Sequence, residues 1–85
     1  MRHATPAALD RLEPFLETLR AVDGLKEKNR GTFYRGSKAF LHFHEDAAGL
    51  FADVRLDTTF ERFRATTKRE QAAVLRAVVR AVGGP

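Results

Sequence analysis

The sequence predicts an α+β fold in which two helices pack on one face of an antiparallel β-meander of three to four strands. Two observations carry this prediction. Apolar residues recur at helical spacing towards both ends of the chain, and a β-prone stretch with turn signals lies between them, at residues 31–56. Because 85 residues suffice for one domain, we expect a single domain over residues 1–85 with the order α-β-β-β-(β)-α. Residues 1–4 and 83–85 are expected to be flexible.

The first helix is predicted to begin at Thr5-Pro6, because Thr is a favoured N-cap and Pro is tolerated at the first helical position. Its apolar stripe consists of Leu9, Leu12, Leu16 and Leu19. Pro14 lies within this stripe and lacks the amide that would bond to the carbonyl of Asp10. We therefore expect either one bent helix or a short turn followed by a second helix. Gly24 ends the element.

The strands are delimited by turn residues. Gly36-Ser37 suits a two-residue hairpin of type II′, and a looser turn at residues 45–49 precedes a third strand at residues 50–56. The pairs expected under the first turn are Arg35 with Lys38, Tyr34 with Ala39, and Phe33 with Phe40. Residues 25–30 are predicted to be a polar connection, with an extended portion as an alternative. Residues 60–66 fit either a helical turn or an edge strand, and we favour an edge strand at residues 62–65.

A second helix is predicted after residue 66. Thr67 and Glu70 form the capping box that typically precedes an apolar helical run. The run that follows has its apolar residues at helical spacing: Ala72, Leu75, Val78, Val79 and Val82.

Strand alternation divides the sheet residues into two faces. The core face, which we expect the helices to cover, carries Tyr34, Ala39, Leu41, Phe43, Leu50, Ala52, Val54 and Leu56. The second face carries Phe33, Arg35, Phe40, His42, His44, Phe51, Asp53 and Arg55. If the second face lies open, any function is expected to reside there.

Composition narrows the classes of function. The chain has no Cys, which excludes disulfides and thiol chemistry, and its net charge of +4 permits binding to nucleic acid without requiring it. No apolar run approaches the length of a membrane span, and the N-terminal residues lack the pattern of a secretory signal, so we expect a cytoplasmic protein without membrane partners. The excess of Arg over Lys and the many Ala indicate the coding bias of a GC-rich bacterium.

Residues 36–43 (GSKAFLHF) and 50–56 (LFADVRL) resemble the central hairpin of MmcQ/YjbR-like bacterial proteins. In that family a Gly-Lys-x-Phe strand pairs with a strand that ends in a basic residue. The chain lacks the downstream segment containing His and Trp that the family carries. The resemblance implies a DNA-binding-like double-wing fold and a basic binding surface, but no activity.

His42 and His44 are the candidate metal ligands. Two His at positions i and i+2 of a strand point to the same face, and Glu45-Asp46 follows directly, so the run offers three ligands to an ion such as zinc or iron. Asp53 on the neighbouring strand is placed to orient an imidazole. The alternative is that the two His are partly exposed sheet residues and that Glu45-Asp46 serves the turn.

Candidate binding residues mix aromatic and basic side chains on the second face. They are Phe33, Arg35, Phe40, Phe51 and Arg55. Such a mixture stacks bases and neutralises phosphates in nucleic-acid binders. The alternative is that the three Phe are buried by a helix or by a second subunit, since a monomer rarely exposes so large an apolar patch.

No nucleophile, phosphate-binding loop or cofactor fingerprint accompanies these residues, so we expect a protein that is not an enzyme and needs no cofactor. The favoured function is a small interaction module that binds an unknown protein or a second copy of itself. The alternatives are a nucleic-acid-binding module and a small metal-binding protein that uses His42 and His44.

Overall fold

A computed structural model describes residues 1–83. Residues 84–85, for which the sequence predicts flexibility, lie outside the described residues. The elements are β1 (Arg2–His3), α1 (Pro6–Arg20), β2 (Lys26–Asn29), β3 (Thr32–Arg35), β4 (Lys38–Asp46), β5 (Gly49–Arg55), β6 (Phe60–Arg64) and α2 (Lys68–Gly83). The predicted α+β class, with one helix before and one helix after an antiparallel meander in the chain, is confirmed. Within residues 1–83, neither helix is long and apolar enough to cross a membrane.

The sheet has six strands rather than three to four. Its order is β2-β3-β4-β5-β6, every neighbouring pair is antiparallel, and β1 pairs with β4 outside this path. Strand β2 is the extended portion given as the alternative for residues 25–30, whereas β1 forms within the segment expected to be flexible and was not predicted. The edge strand favoured after the third strand is observed as β6.

Helix α1 is continuous through Pro14, so the single helix is the alternative that the protein adopts. The Thr5 hydroxyl accepts a hydrogen bond from the Ala8 amide at 3.3 Å, as expected of an N-cap. Pro14 itself is exposed, while Leu12 and Phe15 beside it are buried. Burial of the apolar stripe on both sides of Pro14 holds the helix together despite the missing hydrogen bond.

The pairing of β3 with β4 differs from the prediction at one position. Arg35 lies opposite Lys38 and Tyr34 opposite Ala39, as predicted, but Phe33 lies opposite Leu41. The register shift leaves Phe40 as an extra residue on β4, which is the signature of a β-bulge. Because a bulge changes the parity of the pairing, Phe33 belongs to the core face and its predicted place on the second face was wrong.

The helices cover the core face of the sheet. One buried cluster contains α1 residues, α2 residues and the core-face residues Leu41, Phe43, Leu50, Ala52 and Val54. The Phe15 ring of α1 meets the Phe43 ring edge-on, with centroids 6.1 Å apart. The polar residues of β4 and β5 therefore project from the opposite side of the sheet, which neither helix covers.

Candidate metal centre

The second face brings together three imidazoles. His42 and His44 alternate with the buried Leu41 and Phe43 along β4, so both project from the uncovered side of the sheet, where they are half-buried. The Nε2 atom of His44 lies 2.9 Å from the Nδ1 atom of His42. This is the pair that the sequence singled out, and the two rings are in direct contact.

The third imidazole belongs to His3. Strand β1 pairs His3 with His44, and the two rings stack with centroids 4.7 Å apart and an angle of 27° between their planes. One ring nitrogen from each of His3, His42 and His44 can be chosen so that all three lie within 4.8 Å of one another. Sequence reasoning missed His3 because residues 1–4 were expected to be flexible.

Contacts with Glu45 hold β1 against β4. The Thr5 amide and hydroxyl both donate to the Glu45 carboxylate, at 2.6 and 2.7 Å, and the Ala4 amide donates to the Phe43 carbonyl at 3.1 Å. Arg2 adds an ion pair with Glu45 at 3.6 Å. The same carboxylate thus holds the start of α1 and the strand that carries His3.

Glu45 and Asp46 do not join the imidazoles as the sequence suggested. Glu45 is committed to Thr5, and the Asp46 carboxylate accepts a hydrogen bond from the Ala48 amide at 2.8 Å within the β4–β5 turn. The alternative that these acids serve the turn describes the contact of Asp46, whereas Glu45 binds Thr5, 40 positions away in sequence. The third ligand that the run Glu45-Asp46 was expected to supply is replaced by His3.

Asp53 lies beside the imidazoles on β5. It is opposite His42 in the register, and its Oδ2 atom is 3.4 Å from the Nε2 atom of His44. Arg62 on β6 donates two hydrogen bonds to the Asp53 carboxylate, each of 2.7 Å. Asp53 is only 7% exposed. Its negative charge is therefore compensated by neighbouring groups rather than by solvent: Arg62 pairs with it, and His42 and His44 lie beside it.

Burial and charge set the protonation of these groups. Burial lowers the pKa of both His42 and His44, and the negative charge of Asp53 only partly opposes this. The hydrogen bonds from Arg62 lower the pKa of Asp53. Near neutral pH the two imidazoles are therefore uncharged and the carboxylate is ionised, which is the state in which each can bind a cation.

No family model, curated protein or solved structure matches the chain. The resemblance of its hairpin to MmcQ/YjbR-like proteins therefore stays a prediction.

Of the five residues proposed to bind nucleic acid, three lie together and two lie elsewhere. Phe33 and Phe40 are 0% and 2% exposed and belong to the buried cluster. Phe51 is half-buried beneath the Arg64 guanidinium, whose central carbon lies 5.5 Å from the ring centroid. Arg35, Phe40 and Arg55 line a cleft at the end of the β3–β4 hairpin, although Phe40 is almost fully buried there. Two of the three Phe expected on the second face, Phe33 and Phe40, are thus buried in the core.

Proposed function

We propose that this protein is a small metal-binding protein, and that His3, His42 and His44 hold one divalent transition-metal ion on the uncovered face of the sheet. The observation that carries the proposal is the grouping of three imidazole nitrogens within 4.8 Å of one another. Zinc is the ion we favour, since neutral imidazoles are among its commonest ligands in proteins.

The spacing of the nitrogens suits a tetrahedral ion after small side-chain adjustments. Zinc–nitrogen bonds of about 2.0–2.1 Å with tetrahedral angles place ligating nitrogens roughly 3.3 Å apart. The His42–His44 contact of 2.9 Å is slightly shorter than this value, and the 4.8 Å limit of the cluster is longer. Small rotations about the side-chain torsions of the three histidines can close both differences.

The surroundings of the imidazoles favour an ion of intermediate softness. The chain has no thiol, so a soft ion gains no thiolate ligand, and a set of imidazoles is a poor match for magnesium or calcium. Asp53 approaches the same Nε2 atom of His44 that contacts His42, so it would supply a negative charge beside the ion or a fourth ligand.

The proposal is one of binding rather than catalysis. Arg62 engages both oxygens of Asp53 and lowers its pKa, which makes this carboxylate a weak proton acceptor. Asp53 is therefore poorly suited to act as a general base, and our proposal is confined to binding of the ion.

The favoured expectation from sequence, an interaction module that self-associates through the sheet, loses its main support. It rested on an uncovered patch of Phe33, Phe40 and Phe51, of which the first two are buried. The nucleic-acid alternative loses the same aromatic platforms, and Arg62 and Arg64 are engaged in ion pairs with Asp53 and Glu70.

Calorimetric titration of the purified protein with ZnCl₂, after treatment with a chelator, tests the proposal. We expect one zinc ion per chain, and His42→Ala and His44→Ala should each weaken binding by at least about tenfold. Glu61→Gln, which removes an exposed charge from neighbouring β6, is the matched control and should bind as the wild type does. Absence of stoichiometric binding, or equal binding by the wild type and His42→Ala, would refute the proposal.

A further inference from the structure

A second feature of the sheet lies at the end where β3 turns into β4 and contains none of the three histidines. A cleft of about 480 Å³ opens there between the β3–β4 hairpin and the segment that leaves β5. Its size falls in the range of small-molecule sites, which is about 300–1,000 Å³. Arg35, Lys38 and Arg55 contribute positive charge to its walls, against a single carboxylate from Asp57.

The cations of this cleft have no acidic partners within the described chain. Arg35 and Lys38 are direct cross-strand neighbours, an arrangement of like charges that destabilises a hairpin. Over residues 1–83 no carboxylate lies within 4.0 Å of a charged nitrogen of Arg35, Lys38 or Arg55. By contrast, Arg62 and Arg64 on neighbouring β6 each have a carboxylate partner.

Arg55 is held in place by three contacts that leave its charge uncompensated. Its Nε atom donates to the Ala39 carbonyl at 3.1 Å, and its Nη1 atom donates to the Thr58 carbonyl at 3.3 Å. The guanidinium also lies over the Phe60 ring, 4.7 Å from the centroid. A guanidinium fixed in this way loses little further entropy when it binds an anion, and its shape matches phosphate.

We infer that this cleft binds a phosphate group, with Arg55 as the fixed donor and with Arg35 and Lys38 as mobile cations at the rim. The Asp57 carboxylate on the same wall disfavours a second anionic group and can accept a hydrogen bond from a hydroxyl of the ligand. The phosphate can come from a free phosphomonoester or from the backbone of a single-stranded nucleic acid. This inference is independent of the proposed metal site, because none of the three histidines lines the cleft.

Binding of two probes distinguishes the sources. AMP is titrated by NMR, and a fluorescein-labelled oligodeoxythymidylate is titrated by fluorescence anisotropy, both at low salt with EDTA present so that no metal contributes. Binding of AMP identifies a phosphomonoester site, whereas binding of the oligonucleotide alone identifies a nucleic-acid backbone site. In either case the amide signals that shift are expected to include those of Lys38 and Arg55.

Matched variants separate the cleft from general positive charge. Arg35→Gln/Lys38→Gln removes two rim cations from exposed positions, and Arg76→Gln/Arg80→Gln removes two exposed cations from α2. The first pair should weaken binding by about tenfold or more, and the second by less than about twofold. Arg55→Lys, which keeps the charge and loses the planar fork, should also weaken binding. Failure of both probes to bind at millimolar AMP or micromolar oligonucleotide, or equal losses from the two charge pairs, would overturn the inference.

Discussion

Asp53 is the residue that connects the histidines to the rest of the sheet. Its carboxylate lies 3.4 Å from His44 and receives both hydrogen bonds of Arg62, and it is almost fully buried. A buried acid in this position serves both stability and metal affinity, because it is the negative charge that compensates Arg62 and any bound cation. The sequence predicted that Asp53 neighbours His42, but it gave no sign of Arg62, which reaches Asp53 across the β5–β6 pairing.

Asp53→Asn is the substitution that separates these two contributions. Loss of the charge should lower zinc affinity by about 10–100-fold, as for other groups that neighbour a metal site. It should also lower the free energy of unfolding by about 1–3 kcal/mol, because Arg62 loses a charged partner. Calorimetry and urea denaturation measure the two effects. Unchanged zinc affinity in a folded Asp53→Asn protein would contradict the role that we assign to this residue.

His3 carries a further prediction at the residue scale. Because His3 is exposed, His3→Ala should change the free energy of unfolding without zinc by no more than about 0.5 kcal/mol. In the presence of zinc the same substitution should lose most of the stabilisation that the wild type gains from the ion, since binding to the folded state stabilises it by mass action. Thermal denaturation with and without zinc measures both quantities. Equal stabilisation of the wild type and His3→Ala by zinc would show that only two imidazoles bind.

At the scale of elements, the sequence predicts structure that depends on residues close in the chain, but not structure that depends on distant ones. Thr67 and Glu70 predict the start of α2, and the structure contains the two reciprocal hydrogen bonds of a capping box. The Glu70 amide donates to the Thr67 hydroxyl, and the Thr67 amide donates to the Glu70 carboxylate. Both bonds join residues three positions apart, so the local sequence pattern is sufficient to predict where the helix begins.

Strand β1 shows why the rest escaped prediction. Its two residues have no periodicity of their own, and they pair with β4 because Thr5 meets Glu45, 40 positions away in sequence. The bulge at Phe40 is similar, since the two-residue turn predicts the first pairs under it but not where the register shifts. The imidazole pair of the candidate site was therefore predictable, whereas its third member and the burial of Phe33 were not.

The capping box itself provides a test. Thr67→Ala should reduce the free energy of unfolding by about 1 kcal/mol, because it removes the hydroxyl that accepts a hydrogen bond from the Glu70 amide. Thr59→Ala, an exposed threonine in the β5–β6 connection, is the control and should change stability by less than about 0.5 kcal/mol. Chemical denaturation of the two variants measures the difference. Equal stability of the two would contradict a capping role for Thr67.

The same box gives α2 a pH dependence with a defined sign. Hydrogen bonds from the Thr67 and Thr66 amides, together with Arg64, lower the pKa of Glu70 in the folded protein. A lowered carboxyl pKa contributes stability that is present above the unfolded-state pKa and is lost as the pH falls through the folded-state pKa. Glu70→Gln should therefore be less stable than the wild type near neutral pH, and the difference should shrink in acid. A constant difference across this range would contradict the shift.

At the scale of the whole molecule, most of the exposed side chains on the outer strands of the sheet are charged or polar. The outer strands are β2 and β6, whose exposed residues include Lys26, Lys28, Arg62 and Arg64. Charged edge strands resist pairing with another sheet. Of the exposed large apolar residues, Phe60 lies at the start of β6, Val79 on α2, and Met1 before β1, so they form no continuous patch along an edge.

We therefore predict a monomer in the absence of metal, contrary to the self-association that the three Phe suggested. Light scattering coupled to size-exclusion chromatography, in EDTA, should give the mass of one 9.5 kDa chain. A stable dimer that Phe51→Ser disrupts would restore the interface hypothesis and would contradict our assignment of the second face to metal binding alone.

The central claim, that all three imidazoles bind one ion, is tested most directly by NMR of the side-chain nitrogens. The chain contains three histidines, so the long-range ¹H–¹⁵N spectrum of a uniformly labelled sample reports every imidazole without mutation. Our account predicts that one equivalent of zinc shifts one ring nitrogen of each of His3, His42 and His44 and that a second equivalent causes no further change. Imidazole spectra that are unchanged at one equivalent, or in which His3 alone keeps its free-state shifts, would contradict it.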